Sequence, residues 1–412
     1  MTTSLLTTYS GFKPIRKVKV ELAEGVVFHK EPYKIKNRFV NLYWVEFKRK
    51  NSLFCLKNIL GREPLVKIFR EAKRGHNLNS LAGINTCNFF LSDYGREPPI
   101  PAYNFFVSKG RVWQFPTNER VALIEKGSSL KLRRFKAMGK MRIGKKLFNW
   151  IGRRVFKQAH FVHKEICPLA VVSGVFEISF KYLDNDKLRR AKKPIPSTLT
   201  VKCGKGKALL GIDFDNEFCP KVLAINSKQL SLLDYLYIIE IDQVLGKEIH
   251  VGDEISDVVI DGYRVEREDN IVSLGFSLPK QREKLGKILI RELISKDGGP
   301  IKVLDEDFRK PWSAIVFTKK KIIFFLVDAY PYRKEQEGLN IYELQELLSK
   351  KFDFIKCGVC DGGQTSKLCI NNRDGLKIFG NLHYVNYSLE APKRDGRNGR
   401  PIPSALIGFS TS

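Results

Sequence analysis

Alternation of apolar and polar residues is the pattern of a strand with one buried face. Residues 38–48 combine alternation with aromatic and β-branched side chains and predict a strand. Residues 312–318 and 322–328 predict a hairpin across three lysines, and residues 354–360 predict a buried strand. Residues 64–75 predict a short helix that ends at a glycine.

A second helix is predicted to begin at Asn340, because apolar residues recur at helical spacing after it. Asn340 followed three residues later by Glu343 fits a capping box. This capping role is favoured over a catalytic role for Glu343. Strands with a few helices among them predict an α+β fold, with mixed β-sheets and a few covering helices.

The composition is that of a folded protein with reduced thiols. The chain has 412 residues, 43% of them hydrophobic, and its apolar runs are too short to span a bilayer. Its first ten residues lack the features of a secretory signal, so the eight cysteines are expected to be reduced and the protein cytoplasmic. Cys357 and Cys360 form a CxxC pair without a partner pair, so we expect no metal site and no cofactor.

The charge predicts anionic partners. The chain has 72 Lys and Arg against 44 Asp and Glu, a formal net charge of +28. Residues 131–160 contain eleven of these basic residues and no acidic one. Leu147, Ile151 and Val155 recur there at helical spacing, which predicts a basic amphipathic helix at the surface. This segment is a candidate contact for a polyanion.

One motif carries candidate chemistry. Asp361 follows the apolar strand predicted at 354–360 and precedes Gly362 and Gly363, so its carboxylate is expected at the end of a strand. Paired glycines let backbone amides approach a ligand and form a nest for an anion. Gln364, Thr365 and Ser366 complete the motif. The other interpretation is an ordinary Asp-Gly turn between two strands.

Motifs from both ends of the chain resemble those of the phosphodiester glycosidases. The C-terminal motifs are residues 338–344, Asp361-Gly-Gly-Gln-Thr-Ser and residues 400–407, and the N-terminal motifs are residues 82–90 and 118–123. The resemblance implies a family domain whose halves are residues 15–129 and 301–410, with residues 130–300 as a divergent, basic middle insert. It also implies that the two halves share one sheet core.

The resemblance implies a hydrolase that cleaves a glycosidic bond next to a phosphodiester, so that the substrate is a phosphate-bearing glycan or another anionic small molecule. A phosphate monoester is a good leaving group that needs cationic stabilisation, and the attacking side needs a carboxylate. The predicted site therefore consists of two candidate catalytic carboxylates, Asp361 and Asp328, and of substrate-binding residues: Asn85, Arg120, Gly362, Gly363, Gln364, Thr365 and Arg400.

An alternative is a non-catalytic protein that binds nucleic acid or another polyanion on the same scaffold. The basic segment 131–160 motivates it, together with Trp312 and Ala329, where the sequence departs from the family pattern. Binding of nucleic acid with a steep salt dependence, and no turnover of a glycosyl phosphodiester, would favour this alternative.

Overall fold

The computed structural model describes most of the chain. The described residues are 6–7, 15–35, 38–75, 78, 80–87, 104–116, 118–154, 169–173, 182–183, 189–190, 200–213, 220–231, 235, 237–292, 302–329, 338–362, 365–380, 384–386, 393–395 and 401–411.

Strands dominate this part of the chain. In chain order they are β1 (Leu6–Thr7), β2 (Val18–Ala23), β3 (Val26–Ile35), β4 (Arg38–Lys48), β5 (Ser52–Glu63), β6 (Ser80–Asn85), β7 (Phe106–Ser108), β8 (Arg111–Gln114), β9 (Arg120–Lys126), β10 (Ser129–Phe135), β11 (Met138–Ile143), β12 (Lys146–Arg154), β13 (Leu169–Ser173), β14 (Tyr182–Leu183), β15 (Arg189–Arg190), β16 (Thr200–Lys202), β17 (Lys207–Ile212), β18 (Val222–Asn226), β19 (Gln229–Ser231), β20 (Tyr237–Asp242), β21 (Ile255–Ile260), β22 (Tyr263–Arg264), β23 (Asn270–Ser273), β24 (Phe276–Ser277), β25 (Trp312–Thr318), β26 (Lys321–Asp328), β27 (Phe354–Val359), β28 (Lys367–Asn372), β29 (Gly375–Gly380), β30 (Tyr384–Asn386), β31 (Lys393–Asp395) and β32 (Ile402–Ser410).

Helices are few and short. Among the described residues the α-helices are α1 (Leu65–Gly75), α2 (Gln243–Gly246), α3 (Leu285–Glu292) and α4 (Ile341–Lys351). None of them is long and apolar enough to cross a membrane. The α+β prediction is therefore wrong, and the protein is mainly β. The helices predicted at residues 64–75 and from Asn340 are present as α1 and α4, whereas the described part of the helix predicted within residues 131–160 forms strands instead.

That basic segment is residues 131–160, whose described part reaches Arg154. β11 and β12 form an antiparallel hairpin there, with Met141 opposite Phe148. Phe148 and Trp150 are buried and Leu147 is 54% exposed, so the side chains alternate with the period of a strand. The prediction of an amphipathic helix was wrong because the apolar residues it used, such as Leu147, do not face the core.

The chain divides into two compact units. Unit 1 consists of residues 1–89, 119–134 and 268–412, and unit 2 of residues 90–118 and 135–267. The division into halves and an insert at residues 129 and 300 stays a prediction.

A seven-stranded sheet in unit 1 carries the predicted hairpin and strand. Its order is β2-β3-β4-β26-β25-β27-β24, and β25 pairs antiparallel with both β26 and β27. Helix α4 packs on one face, where Leu344 and Leu348 join Trp312 and Phe325 in a buried cluster. The predicted capping box is confirmed, since Asn340 and Glu343 each accept a hydrogen bond from the other's backbone amide.

A six-stranded sheet in unit 1 joins the two ends of the chain. Its order is β1-β29-β28-β6-β32-β5, so β6 lies between β28 and β32. Helix α1 packs against one face through Phe69, which contacts a cluster that includes Ile378 and Ile407. β6 thus shares this sheet with β28 and β32 of the C-terminal motif region, whereas β9 and the hairpin of β25 and β26 lie in other sheets.

The two sheets of unit 1 are stacked through aromatic side chains. Phe379 of the six-stranded sheet lies 5.1 Å from Phe28 and 4.7 Å from Tyr43 of the seven-stranded sheet, between ring centroids. Phe54 and Phe47 meet edge to face at 5.3 Å. Aromatic pairs at these distances bury large areas and fix how the sheets pack. The ends of β6 and β27 are thereby held close to each other.

Unit 2 has its own core. Its largest sheet has the order β18-β17-β20-β13-β12-β11-β21-β22. Phe115 contacts Trp150 and Tyr237 edge to face, each at 5.0 Å between ring centroids. The hairpin of β7 and β8 turns at Lys109 and Gly110, whose φ angles are 51° and 75°, as a two-residue turn of type I′ requires.

Candidate functional site

Asp361 lies where the chain passes from one sheet of unit 1 to the other. The amide of Cys360 still donates to the carbonyl of Ser313 in β25, at 2.8 Å, whereas the amide of Asp361 donates to the carbonyl of Thr86, just after β6, at 3.0 Å. The carbonyl of Asp361 accepts from Asn85 Nδ2 at 2.9 Å and from Ser313 Oγ at 3.0 Å. Since all these bonds use its backbone, they hold residue 361 in place independently of its carboxylate.

Asn85 links the N-terminal and C-terminal motifs. Its side chain is buried at the end of β6, and besides donating to Asp361 its Oδ1 accepts from the amide of Lys367 at 3.1 Å. An amide side chain supplies both a donor and an acceptor, so it can satisfy a carbonyl and an amide together. The structure thus brings Asn85 to Asp361, and a direct role in substrate binding stays a prediction.

Two other described residues of the motif, Gly362 and Thr365, contact each other next to this junction. Thr365 is buried, and its Oγ1 donates to the carbonyl of Gly362 at 2.9 Å. Asp361 and Gly362 are both partly exposed, so a ligand can approach them. Gly363 and Gln364, two of the predicted substrate-binding residues, lie outside the described residues.

Lys310 is a residue of this site that the sequence did not indicate. Its Nζ lies 4.2 Å from the centroid of the Trp312 ring, next to Gly362. Burial lowers the pKa of the Lys310 ammonium, and the charge of Asp361 opposes this by raising it. A partly desolvated cation therefore lies beside the candidate carboxylate. A single lysine before a proline has no recognisable pattern, so no sequence signal could have identified it.

Asp328, the second predicted carboxylate, is the last residue of β26 and lies in register with Asn41 of β4. It is only 6% exposed. β25 separates β26 from β27, which Asp361 follows. With strands about 4.8 Å apart, the backbones of Asp328 and Asp361 are roughly 10 Å apart. Asp328 and Asp361 thus lie at the same end of the sheet, and Asp361 is the more accessible residue.

Arg120, predicted to bind phosphate, lies in a buried ion cluster. It is 3% exposed, and its Nη2 donates to the carbonyl of Glu292 at 3.0 Å. Burial lowers the pKa of Arg120 to about 10, although the charge of Glu292 opposes this. The fully buried Glu292 also pairs with Arg134 at 2.9 Å and accepts from Ser277 Oγ at 2.6 Å. These contacts suit a structural cation, and the phosphate-binding role of Arg120 stays a prediction. Arg400 lies outside the described residues.

Burial disfavours the thiolate form of the two thiols close to Asp361. Burial raises the pKa of Cys87, and the charge of Asp361 raises it further. The pKa of Cys360 is raised well above its usual value, mainly by burial. Both thiols therefore stay protonated at neutral pH, and thiolate chemistry is not available to them. Within the described ranges, no cluster of three or more His, Cys, Asp or Glu residues has an arrangement that would hold a metal ion.

The chemistry of the junction follows from these contacts. A carboxylate on a fixed backbone can accept a proton from water or attack an electrophilic carbon. An ammonium ion beside it can offset negative charge that develops on a departing group. The site is thus suited to displacement of an anionic leaving group.

Comparisons with known proteins show a shared fold. No protein-family model and no curated protein matches the sequence. A crystal structure of a hypothetical protein from Synechocystis matches 96% of this chain with a TM-score of 0.56 and 13% identity, and the chain spans 64% of that protein's length. A “putative exported protein” from Burkholderia pseudomallei matches 90% of this chain, and 74% of its own, with a TM-score of 0.51 and 12% identity.

A third solved structure is more distant. It is the catalytic domain of zebrafish N-acetylglucosamine-1-phosphodiester alpha-N-acetylglucosaminidase, auto-inhibited by its pro-peptide. It matches 96% of this chain and 88% of its own with a TM-score of 0.40 and 11% identity. At such low identities, the Synechocystis and Burkholderia proteins show that this chain shares their fold, and the similarity to the zebrafish enzyme is a distant structural one.

Proposed function

We propose that this protein is a hydrolase that cleaves a glycosidic bond next to a phosphodiester, in a sugar-1-phosphodiester or a related anionic substrate. The observation that carries the proposal is the hydrogen bond of Asn85 to Asp361 across 276 positions of sequence. It joins the N-terminal and C-terminal motifs that resemble those of the phosphodiester glycosidases. A partly exposed carboxylate and a lysine ammonium lie at the junction.

In the proposed reaction, Asp361 acts on the attacking side. A carboxylate there can activate water as a general base, and a second carboxyl group can serve as its partner. The greater exposure of Asp361 favours it as that base, with buried Asp328 as its partner.

The test is turnover of defined substrates by the wild type and by Asp361→Asn. The methyl diesters of glucose-1-phosphate and N-acetylglucosamine-1-phosphate serve as substrates, and chromatography detects the released sugar. We expect turnover by the wild type and a loss of at least ~100-fold in Asp361→Asn, the scale of a missing general base. The melting temperature should change little, because the bonds that hold residue 361 use its backbone.

The matched control is Asp374→Asn, which removes a carboxylate from an exposed position between β28 and β29. It should leave turnover unchanged. Wild-type turnover that survives Asp361→Asn would assign the chemistry to another residue, and no turnover of either diester by the wild type would count against the proposed function.

A second candidate function is polyanion binding by unit 2. Lys136, Lys140 and Lys145 are exposed on and beside the β11–β12 hairpin, which favours it. Neighbouring cations are neutralised, since Arg142 pairs with Asp257 and Lys146 with Glu248, so this function is the second choice. Titration of a single-stranded oligonucleotide at several salt concentrations tests it. A steep salt dependence that Lys136→Gln with Lys140→Gln makes shallower would support it.

A further inference from the structure

The backbone around Lys310 fixes where its side chain begins. Its amide donates to the carbonyl of Leu339 at 3.1 Å, and its carbonyl accepts from the amide of Leu339 at 3.2 Å. Leu339 is fully buried just before α4, and its carbonyl also accepts from the ring nitrogen of Trp312 at 2.7 Å. The base of the lysine is thus part of the folded core.

The ammonium of Lys310 lies between an aromatic ring and Gly362. Its Nζ is 4.2 Å from the centroid of Trp312 and 5.8 Å from that of Phe308. A Cβ atom placed on Gly362 would lie 2.8 Å from this Nζ and 2.7 Å from Cε. Any side chain at position 362 would therefore push the ammonium away, so the glycine lets the cation approach the motif.

Burial and the charge of Asp361 act in opposite directions on the Lys310 ammonium. Burial lowers its pKa by disfavouring the charged form, and Asp361 is the group that opposes this. Its side chain is only partly exposed. Because water screens such a cation poorly, an anion that reaches it gains more than it would at an exposed lysine. Phosphate oxygens are strong acceptors for such a donor.

We propose that Lys310 is the phosphate-binding residue of this site and holds the phosphate group of the substrate beside Asp361. This deepens the proposed function and rests on it for the reaction itself. A phosphate ester, as monoester product or diester substrate, is the ligand class that the position takes. The cation–π contact with Trp312 also holds the ammonium in place.

In the reaction, water forms the new bond to the anomeric carbon and transfers a proton to the carboxylate of Asp361. The bond between that carbon and the phosphate oxygen breaks, and its electron pair stays on the oxygen. The phosphodiester, with one negative charge, becomes a monoester with two, while Asp361 becomes neutral. The extra negative charge develops on the leaving group, beside Lys310, where it is stabilised.

The first experiment measures binding rather than turnover. Calorimetry with glucose-1-phosphate gives Kd for the wild type, Lys310→Met and Lys310→Arg. We expect Lys310→Met to weaken binding at least ~10-fold, the lower end of what a charge-assisted hydrogen bond contributes. Lys310→Arg should restore most of the affinity because it keeps the charge. An unchanged Kd in Lys310→Met, or no measurable binding by the wild type, would overturn the proposal.

The matched control is Lys351→Met. Lys351 also lies over a tryptophan, with its Nζ 4.1 Å from the centroid of Trp44, but away from the Asp-Gly-Gly motif. Its Kd for glucose-1-phosphate should equal that of the wild type. If Lys310→Met does not fold, Gly362→Ala is the second variant, since it keeps the charge and displaces the ammonium. Normal affinity in Gly362→Ala would then overturn the proposal.

A pH series separates a charge effect from a packing effect. Sulfate is the probe because it keeps one charge state from pH 6 to 11. Wild-type affinity should fall as pH rises through the pKa of Lys310, which burial lowers, whereas Lys310→Arg should hold its affinity to higher pH because arginine stays protonated. Identical pH profiles would contradict a role for the ammonium.

The two proposals can fail separately. If Lys310→Met does not change the turnover of a glycosyl phosphodiester, the proposed hydrolase activity stands and this role of Lys310 is refuted. Binding of glucose-1-phosphate that depends on Lys310, without any turnover by the wild type, would keep the phosphate site and refute the hydrolase.

Discussion

Asn85→Asp tests the hydrogen bond that Asn85 Nδ2 donates to the carbonyl of Asp361. The substitution replaces Nδ2, which donates to the carbonyl of Asp361, with an oxygen, and it keeps the acceptor for the amide of Lys367. At high pH, an ionised carboxylate would face a carbonyl oxygen in a buried position. At low pH, a protonated carboxyl can still donate to that carbonyl, so both original bonds can form.

The expected loss of stability in Asn85→Asp follows from the proton that the folded variant binds. Burial raises the pKa of the introduced carboxyl above its unfolded value of about 3.9. The folded variant then holds a proton that the unfolded chain releases, so its stability relative to the wild type falls as pH rises. Keeping the introduced carboxyl protonated in the folded state costs about 1.4 kcal/mol of stability for each pH unit above its unfolded pKa. The loss is therefore about 1.5 kcal/mol at pH 5 and about 4 kcal/mol at pH 7.

Urea unfolding followed by tryptophan fluorescence at pH 5, 6 and 7 measures this difference. The control is Asn226→Asp, where the side-chain oxygen already accepts from the amides of Lys228 and Gln229, at 2.7 and 3.3 Å. That variant should stay within about 0.5 kcal/mol of the wild type at each pH. A stability difference for Asn85→Asp that does not grow between pH 5 and 7 would refute the assigned donor role of Asn85.

Two further changes test local structure. Asn340→Ala should lower the free energy of unfolding by about 1 kcal/mol, because it removes the N-cap of α4; urea unfolding measures it, and an unchanged midpoint would contradict the capping geometry. Gly110→Ala should destabilise unit 2 more than Gly262→Ala. Both glycines have φ of 75°, but a Cβ at Gly110 would lie 2.4 Å from the Cα of Arg267, whereas the one at Gly262 meets nothing within 4 Å. Equal melting temperatures for the two variants would refute the close approach.

The sequence predicted where strands and helices lie better than it predicted which of them pair or pack together. Alternation indicated β4, continuous apolar runs indicated β25 and β26, and the glycine after the apolar period indicated the end of α1, because these signals are local. The helix prediction for residues 131–160 was wrong because it relied on the helical spacing of Leu147 and Ile151. The buried Phe148 and Trp150 reveal the period of a strand only once it is known which side chains face the core.

Within the site, the motifs located Asn85 and Asp361 but not the hydrogen bond between them. That contact depends on how β6 and β27 are placed in two stacked sheets, which no local pattern encodes. Lys310 was missed for the same reason. Its position depends on pairing with Leu339 and on the missing side chain of Gly362, and both are properties of the folded chain.

The place of β32 has a consequence for how the protein is made. β32 pairs with β5 on one side and β6 on the other, although more than 300 residues separate β6 from β32 in sequence. During synthesis at about 5–20 residues per second, β5 and β6 wait roughly 15 to 65 seconds for the strand that fills the gap between them. Unpaired strand edges invite association with other chains. A ribosome-bound chain that ends before residue 402 should therefore depend on chaperones until translation supplies β32.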